Sequence, residues 1–460
     1  MHLGVLILAA GEGTRMQSKQ PKVLHRLAGK QLLRHVIETA RSITPDEITI
    51  VYGHGGEQVR DVLDAPDLKW VEQTERLGTG HAVMQAIPQL QRVDQVLILY
   101  GDVPMISGST LVSLLAALHQ TELALLTVDL PDPSGYGRII RDRNDRVVRI
   151  VEQKDANERE LEISEINTGI MAVRRERLET WLGRIENNNA QNEYYLTDII
   201  AMAVADGVNI QVVHPICEEE VMGVNDRKQL AYLERYYQSL RADELMQSGV
   251  TLSDPARIDI RGVLKTGKDV FLDFNTLFKG EVVLADGVKV GANVIIKNST
   301  IGENTEILPN SIIEGAVIGA NCRIGPFARI RPETELADAV HVGNFVELKK
   351  SQVATKSKIN HLSYVGDATV GSEVNIGAGT ITCNYDGANK FQTIIGDRAF
   401  IGSDSQLVAP VTVAEGSTIG AGSTITKDTQ AETLTLSRAK QVAIDGWQRP
   451  AKKRPALTAC

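Results

Sequence analysis

The sequence predicts two folded regions in series: an α/β region with a mostly parallel sheet, then a parallel β-helix built from six-residue repeats. Three observations carry this reading. Strands alternate with amphipathic helices through the first half of the chain, an aliphatic or aromatic residue returns every six positions from Leu272 to Ile425, and 460 residues exceed what one ordinary core organises.

In the first region, Val5-Leu6-Ile7-Leu8 reads as a fully buried strand, and Leu32 to Arg41 as a helix with Leu32, Leu33, Val36, Ile37 and Ala40 on one face. Strands follow at Ile48 to Tyr52, Leu68 to Val71, Val96 to Tyr100 and Leu123 to Val128, with helices at Glu57 to Leu63, Thr79 to Ile87 and Ser109 to His119. Such alternation places helices on both faces of a parallel sheet and gathers ligands at the carboxyl ends of its strands. At the first such end stand Leu8-Ala9-Ala10-Gly11-Glu12-Gly13-Thr14-Arg15-Met16 and then Pro21-Lys22. Neither the GxxxxGK[ST] nor the GxGxxG phosphate-binding pattern fits. Small residues would let backbone N–H groups approach phosphates while Arg15 and Lys22 supply charge. By itself such a glycine turn with two basic residues is more often an ordinary surface loop.

From Asp226 to Ser248, Leu230, Leu233, Tyr236, Tyr237, Leu240 and Leu245 recur at helical spacing with Gly249 as the stop, which predicts a long linker helix. The expected domains are therefore 1–227, a linker helix at 228–249, and 250–460.

The repeats run Leu272, Phe278, Leu284, Val290, Ile296, then Ile301, Ile307, Ile313, then Ile318 to Leu348, and finally Ile395 to Ile425. Six fits neither the 3.6 period of a helix nor the alternation of a lone hairpin. One short strand and one corner per hexad, three hexads per coil, does fit. Glycines after many of the aliphatics, as at Ile301-Gly302 and Ile401-Gly402, suit tight corners. The phase is lost from Leu348 to Ile359 and from Ile376 to Ile395, and an insertion in a solenoid is expected to leave it as a loop. The second interruption contains Gly377-Ala378-Gly379-Thr380-Ile381-Thr382-Cys383-Asn384-Tyr385-Asp386-Gly387-Ala388-Asn389-Lys390.

A formal charge of -9 argues against a nucleic-acid partner. No stretch is long enough to span a membrane, and the apolar start lacks a basic leader. Four dispersed cysteines, Cys217, Cys322, Cys383 and Cys460, fit a reducing cytoplasm without structural disulfides or zinc.

LAAGEGTRM with the following PKVL resembles the signature of sugar-1-phosphate nucleotidyltransferases. Leu77-Gly78-Thr79-Gly80-His81-Ala82, Tyr100-Gly101-Asp102-Val103-Pro104, Gly135-Tyr136-Gly137-Arg138, Ile166-Asn167-Thr168-Gly169 and Asn192-Glu193-Tyr194-Tyr195-Leu196-Thr197-Asp198 follow in that family's order. With the hexapeptide half added, residues 3 to 449 resemble the bacterial bifunctional N-acetylglucosamine-1-phosphate uridyltransferases and glucosamine-1-phosphate N-acetyltransferases. The resemblance implies a Rossmann-like first domain and a left-handed β-helix. It implies two reactions: acetylation of glucosamine 1-phosphate by acetyl-CoA, and transfer of UMP from UTP to N-acetylglucosamine 1-phosphate with release of pyrophosphate. Such a product feeds peptidoglycan and lipopolysaccharide precursors.

Carried over residue by residue, the resemblance puts Leu8, Ala9, Ala10 and Gly11 around the nucleotide, Gln73, Gly78 and Thr79 at the uracil, and Arg15 and Lys22 at phosphates. Tyr100, Gly101 and Asp102 would stand beside the phosphates, and Gly137, Glu152 and Asn167 would contact N-acetylglucosamine. Asp102 and Asn225 match Mg²⁺ ligands; without the resemblance, an Asp closing a turn and an Asn capping the next helix would be the favoured readings. Position 12 is Glu where relatives often carry Lys, which shifts phosphate binding toward Arg15 and Lys22.

In the solenoid, His361 matches the catalytic base, Arg331, Lys349, Tyr364 and Asn375 the sugar-phosphate contacts with Lys390 assisting, and Ala378, Asn384, Tyr385, Ser403, Ala421 and Arg438 the acetyl-CoA contacts. The chemistry wants a base there, because an ammonium cannot attack a thioester until it loses a proton and a neutral imidazole can take it. The oxyanion then needs N–H donors, expected near Asn384. With only His341 and His361 in the solenoid, a three-histidine metal site is poorly supported. A β-helix that merely regulates or scaffolds a single-activity nucleotidyltransferase would leave His361 and the NYDGANK loop unexplained. Flat prism sides and relatives of this kind imply a homotrimer with sites shared between chains.

Overall fold

The computed structural model describes residues 1–450 apart from residues 12, 54 and 55, so Glu12, the basic residues Lys452, Lys453 and Arg454, and Cys460 lie outside the described residues. Two compact units result. One comprises Met1–Glu244 with Ile258–Gly262, the other Leu245–Arg257 with the residues from Val263 onward.

In the first unit the apolar run at the start of the chain forms the strand Leu3–Ala9 in the middle of a sheet. It pairs in parallel with Glu47–Gly53 on one side and Gln95–Tyr100 on the other. Strand order reverses at this point, which opens a crevice beyond the carboxyl end of the strand. Side chains alternate across the sheet: Val5 and Ile7 enter the core beneath the helix Leu32–Ser42, and Leu6 and Leu8 enter the opposite core with Val83, Ala86 and Trp181. Full burial of such side chains contributes about 1.5–3 kcal/mol each before chain entropy is counted.

The sheet departs from pure alternation at Glu165–Arg174, which runs antiparallel to both Gln95–Tyr100 and Leu123–Asp129. Ile166-Asn167-Thr168-Gly169 hides this strand in the sequence, because its register shifts between Asn167 and Met171 and interrupts the apolar pattern. A hairpin of Arg138–Arg141 and Val147–Val151 hangs from it through the Ile166–Arg138 pair.

The expected linker helix spans Arg227–Gln247. Its first half is packed rather than free, with Leu233 in one cluster with Met16, Leu27, Leu32 and Val224. Arg227 Nε donates to the Met16 carbonyl at 3.2 Å, and Glu234 accepts from the Ala28 amide at 2.6 Å. The helix thereby braces the turn that follows the glycine loop.

The second unit is a left-handed parallel β-helix. Ile307, Ile324, Val342, Ile359, Ile376, Ile401 and Ile419 are successive register partners along one face, each almost fully buried. One interruption of phase is corrected: no loop leaves the coil between Leu348 and Ile359. Val353 fills the inward position and pairs with Leu336, and its place one residue early in the count of six is what broke the phase. The other interruption is a loop. Phe391 N returns to Asn384 O at 2.9 Å, Tyr385 bridges Lys390, and Asp386 Oδ1 accepts from the Ala388 and Asn389 amides at 2.8 and 2.6 Å.

Candidate active sites

A cleft of about 330 Å³ lies at the topological reversal of the sheet, lined by Leu8, Ala9, Ala10, Gly11, Lys22, Gln73, Gly78, Thr79, Tyr100 and Asp102. Ten of the residues expected around the nucleotide thus meet in one place. Val23, Arg76, Ala82 and Glu193 also line it and were not anticipated. The approach of Glu193 follows from the NEYYLTD segment, whose Tyr194 carbonyl accepts from Gly80 N at 2.8 Å and whose Tyr194 amide donates to Leu77 O at 2.7 Å. A β-carbon on Gly78, at φ 102°, would lie 2.7 Å from that Tyr194 carbonyl, so glycine is required there.

Lys22 reaches Asp102 and also donates to Asn225 Oδ1 at 3.0 Å. Two oxygens carried far apart in sequence, one at a strand end and one just before the Arg227–Gln247 helix, therefore converge on a single cation. The segments are tied by Val224 N donating to Asp102 O at 2.8 Å. Asn225 is not the cap of that helix, since Asp226 Oδ1 accepts from the Lys228 and Gln229 amides. Arg15 is exposed on the short turn Thr14–Met16 and does not line the cleft, although its charge reaches Tyr136.

On the other rim, Thr197 Oγ1 donates to Glu152 Oε1 at 3.0 Å, and Asn167 N donates to Gly137 O at 2.8 Å. A β-carbon on Gly137 would come within 2.9 Å of Ile150 Cγ2 and 3.4 Å of both Glu152 oxygens, so the glycine fits against Ile150 beside that carboxylate. Burial raises the pKa of Glu152 above its ordinary value, and Asp155, Asp198 and Glu193 push it the same way. Tyr100 is raised too, first by burial and then by Glu152 and Asp102, which keeps its phenol protonated. Gly169 lies under that ring, because a β-carbon there would come within 2.5 Å of Tyr100 Cε2.

In the second unit, His361 ends the strand Lys358–His361, and its Nδ1 lies 3.1 Å from Asn344 Oδ1 on the preceding coil. An amide oxygen can only accept, so Nδ1 carries the proton and Nε2 has a free lone pair. Asn344 is a partner that sequence reasoning missed, since it becomes a neighbour only through the Asn344–His361 register.

Across the corner at Leu362 and Ser363, an adjoining face carries the sugar-phosphate candidates. Arg331 pairs with Glu347 at 2.8 Å, Glu347 is in register with Tyr364, and Lys349 with Gly366. Asn384 donates to Asp367, and the space over Gly366 is filled by the Tyr364 hydroxyl and Asn384 Nδ2. Lys390 lies against Lys349, and that neighbouring ammonium holds its pKa below the usual lysine value. Two adjacent ammoniums, with Asp367 the carboxylate acting on Lys390, leave positive charge to attract an anion. Asn375 instead stands on the His361 face, in register with Lys358.

The acetyl-CoA candidates climb one edge from His361. Gly379 N donates to His361 O at 3.3 Å, Asp404 N to Ala378 O at 2.7 Å and Gly422 N to Ser403 O at 2.8 Å. Ala421 N lies against Gly402, and Arg438 Cδ is the nearest neighbour of a β-carbon placed on Gly422. Tyr385 is exposed in the loop. Among the described residues no helix is long and apolar enough to cross a membrane. Cys217, Cys322 and Cys383 are free thiols.

A nucleotide cleft at a sheet reversal and a β-helix with a histidine at its corner define a two-part transferase, a nucleotidyltransferase followed by a hexapeptide acyltransferase. Family comparisons agree for each part. Residues 5–144 match the MobA-like NTP transferase domain, residues 266–344 the GMPPB C-terminal domain, and residues 392–427 the bacterial transferase hexapeptide of six repeats. The chain is 58% identical to the bifunctional protein GlmU of Ralstonia nicotianae, over 98% of this chain and 99% of that protein. It is 60% identical to the GlmU of Nitrosospira multiformis, over 98% of each, and 59% identical to that of Cellvibrio japonicus, over 98% of this chain and all of its relative. The chain belongs to the bifunctional GlmU family.

Proposed function

We propose that the two sites divide the two activities of this enzyme, with acetyl transfer at the His361 corner and uridylyl transfer in the cleft that holds Lys22, Asp102 and Asn225. The protein is a bifunctional transferase of UDP-N-acetylglucosamine synthesis. It acetylates glucosamine 1-phosphate with acetyl-CoA, then joins UMP from UTP to N-acetylglucosamine 1-phosphate and releases pyrophosphate. The proposed domains are 1–227 for the uridyltransferase, 228–249 for the linker helix and 250–460 for the acetyltransferase.

At the corner, His361 Nε2 takes a proton from the substrate ammonium while Asn344 holds the imidazole in the tautomer that can accept it. The freed amine attacks the acetyl carbonyl, and CoA leaves as the thiol. Lys349 and Lys390 seat the phosphate, aided by Arg331, Tyr364 and Asn375. Ala378, Ser403, Ala421 and Arg438, on the edge above His361, with Asn384 and Tyr385, receive acetyl-CoA.

In the cleft, Leu8 to Gly11 present backbone to the nucleotide while Gln73, Gly78 and Thr79 meet the base. Gly137, Glu152 and Asn167 bind the sugar, and Arg15 and Lys22 serve the phosphates. Mg²⁺ fits Asp102 and Asn225, because their oxygens already converge on one cation, the Lys22 ammonium. When bound it supplies charge neutralisation at the phosphates.

The cytoplasm, where both nucleotide and acetyl-CoA are available, is the proposed compartment. A homotrimer is the proposed assembly, supported by the exposed Phe327, Phe345 and Leu362 on the corner beside His361, the two phenyl rings stacked at 5.3 Å. The reading rests above all on the Lys22, Asp102 and Asn225 convergence in one unit and the Asn344–His361 pair in the other. Its test is paired: CoA release from acetyl-CoA that requires glucosamine 1-phosphate, and pyrophosphate release from UTP that requires N-acetylglucosamine 1-phosphate, each lost on mutating only its own site.

A further inference from the structure

Gln73 closes the strand Leu68–Gln73 at the wall of the N-terminal cleft, and only 3% of it is exposed. Its Nε2 lies 3.1 Å from Gly78 O and 3.2 Å from His81 Nδ1. A backbone carbonyl can only accept, so the contact with Gly78 decides which end of the Gln73 amide is nitrogen. His81 Nδ1 must then accept as well, which places the imidazole proton on Nε2. Gln85 Nε2 stands 3.1 Å from that Nε2; two donors cannot face each other, so the Gln85 amide is turned over to present its oxygen to the ring. The frame around these groups is rigid. Gly78 is pressed against the Tyr194 carbonyl, and the His81 and Tyr194 rings lie 6.4 Å apart.

With both hydrogens of its amide engaged inside the protein, Gln73 can offer the cleft only its Oε1. A fixed carbonyl oxygen accepts from the N3–H of uracil and repels the bare N3 of cytosine, whereas an amide free to turn over would satisfy either base. We propose that His81 is a positioning residue that makes the cleft select uracil over cytosine, by holding the Gln73 amide in one orientation. This rests on the reading of the cleft as the UTP site.

The test is the ratio of kcat/KM for UTP to kcat/KM for CTP. His81→Phe keeps a ring beside Tyr194 but removes the acceptor, and lowers the ratio by about tenfold, the scale of one hydrogen bond. His81→Asn can present an oxygen where Nδ1 stood and keeps most of the ratio. An unchanged ratio in His81→Phe overturns the inference, and so does an equal fall in both variants, since the accepting atom would then be irrelevant. An unchanged kcat for UTP in His81→Asn and an unfolding temperature near the parent's in each variant report that the first unit is folded. Gln73→Ala separates the two layers of the argument: if the KM for UTP does not rise, the base does not lie at Gln73, and the reading of the cleft fails before His81 is at issue.

Discussion

The Lys22 ammonium rests on the Asp102 carboxylate and donates at the same time to Asn225 Oδ1 at 3.0 Å. The two oxygens proposed as metal ligands are thus held together by an internal cation. A divalent ion that takes those oxygens leaves Lys22 to the phosphates. Asp102→Ala is therefore expected to cut uridylyl transfer by about 10³-fold, on the order of 4 kcal/mol, while acetyl transfer persists. Chelation with EDTA should reproduce that split in the unmodified enzyme. Parallel loss of both activities in a folded variant would disprove the division of sites.

Glu152 couples function to stability with a definite sign. Burial raises its folded-state pKa above the ordinary 4.5, so the native state binds more protons than the unfolded state above that pH. Its contribution to stability consequently declines as pH rises from 4.5 through the folded pKa. Glu152→Gln removes the penalty of a buried charge. At neutral pH the variant should melt at a higher temperature than the parent and bind N-acetylglucosamine 1-phosphate less well. The gain in Tm should shrink toward pH 4, and a gain that did not vary with pH would contradict the sign.

His361→Ala should lower acetyl transfer by about 10²–10⁴-fold, the usual loss of a general base. Asn344→Ala should lower it by about tenfold, because one orienting hydrogen bond is lost while the base remains. Neither change should touch uridylyl transfer. Equal losses in the two variants would mean that Asn344 does more than orient the ring.

How much of this was legible in the sequence depended on whether partners lie near one another in the chain or only in the fold. The hexad at Ile307, Ile324 and Ile401 announced the β-helix directly, since each aliphatic repeats the same inward position. Val353 was misread because a step one residue short looks like an insertion when only the period is counted. The strand Glu165–Arg174 was hidden by its Asn-Thr-Gly, where the register shifts and the apolar strand pattern is interrupted. Asp102 and Asn225 were nameable by resemblance, but their meeting at Lys22 and the partnership of Asn344 with His361 depend on register and long-range packing.

Cys383 lies beside Asn384 and could be read as an acyl carrier. Burial raises its thiol pKa, which disfavours the thiolate that such chemistry requires. Acetyl transfer should accordingly go straight to the amine. Cys383→Ala should keep acetyltransferase activity within about twofold, and intact-mass measurement after acetyl-CoA alone should show no added acetyl group. An acetylated Cys383 would reverse the assignment.

The corner at Leu362 and Ser363 separates His361 on one face of the prism from Tyr364 and Asn384 on the next. Adjacent faces of a triangular prism diverge, so a substrate that touches His361 and also the Asn384 face is best accommodated in a groove between prisms. The exposed Phe327, Phe345 and Leu362 give that corner an apolar edge for a second copy to cover. Within the proposed homotrimer, one chain supplies His361 and a neighbour supplies Asn384. Chains carrying His361→Ala and chains carrying Asn384→Ala, each nearly inactive alone, should then recover part of the acetyltransferase activity when co-assembled, because some grooves receive both intact residues. Sedimentation should give the mass of three chains, on the order of 150 kDa from 50.2 kDa each. A fully active monomer, or mixed assemblies with no recovery, would place the whole site on a single prism.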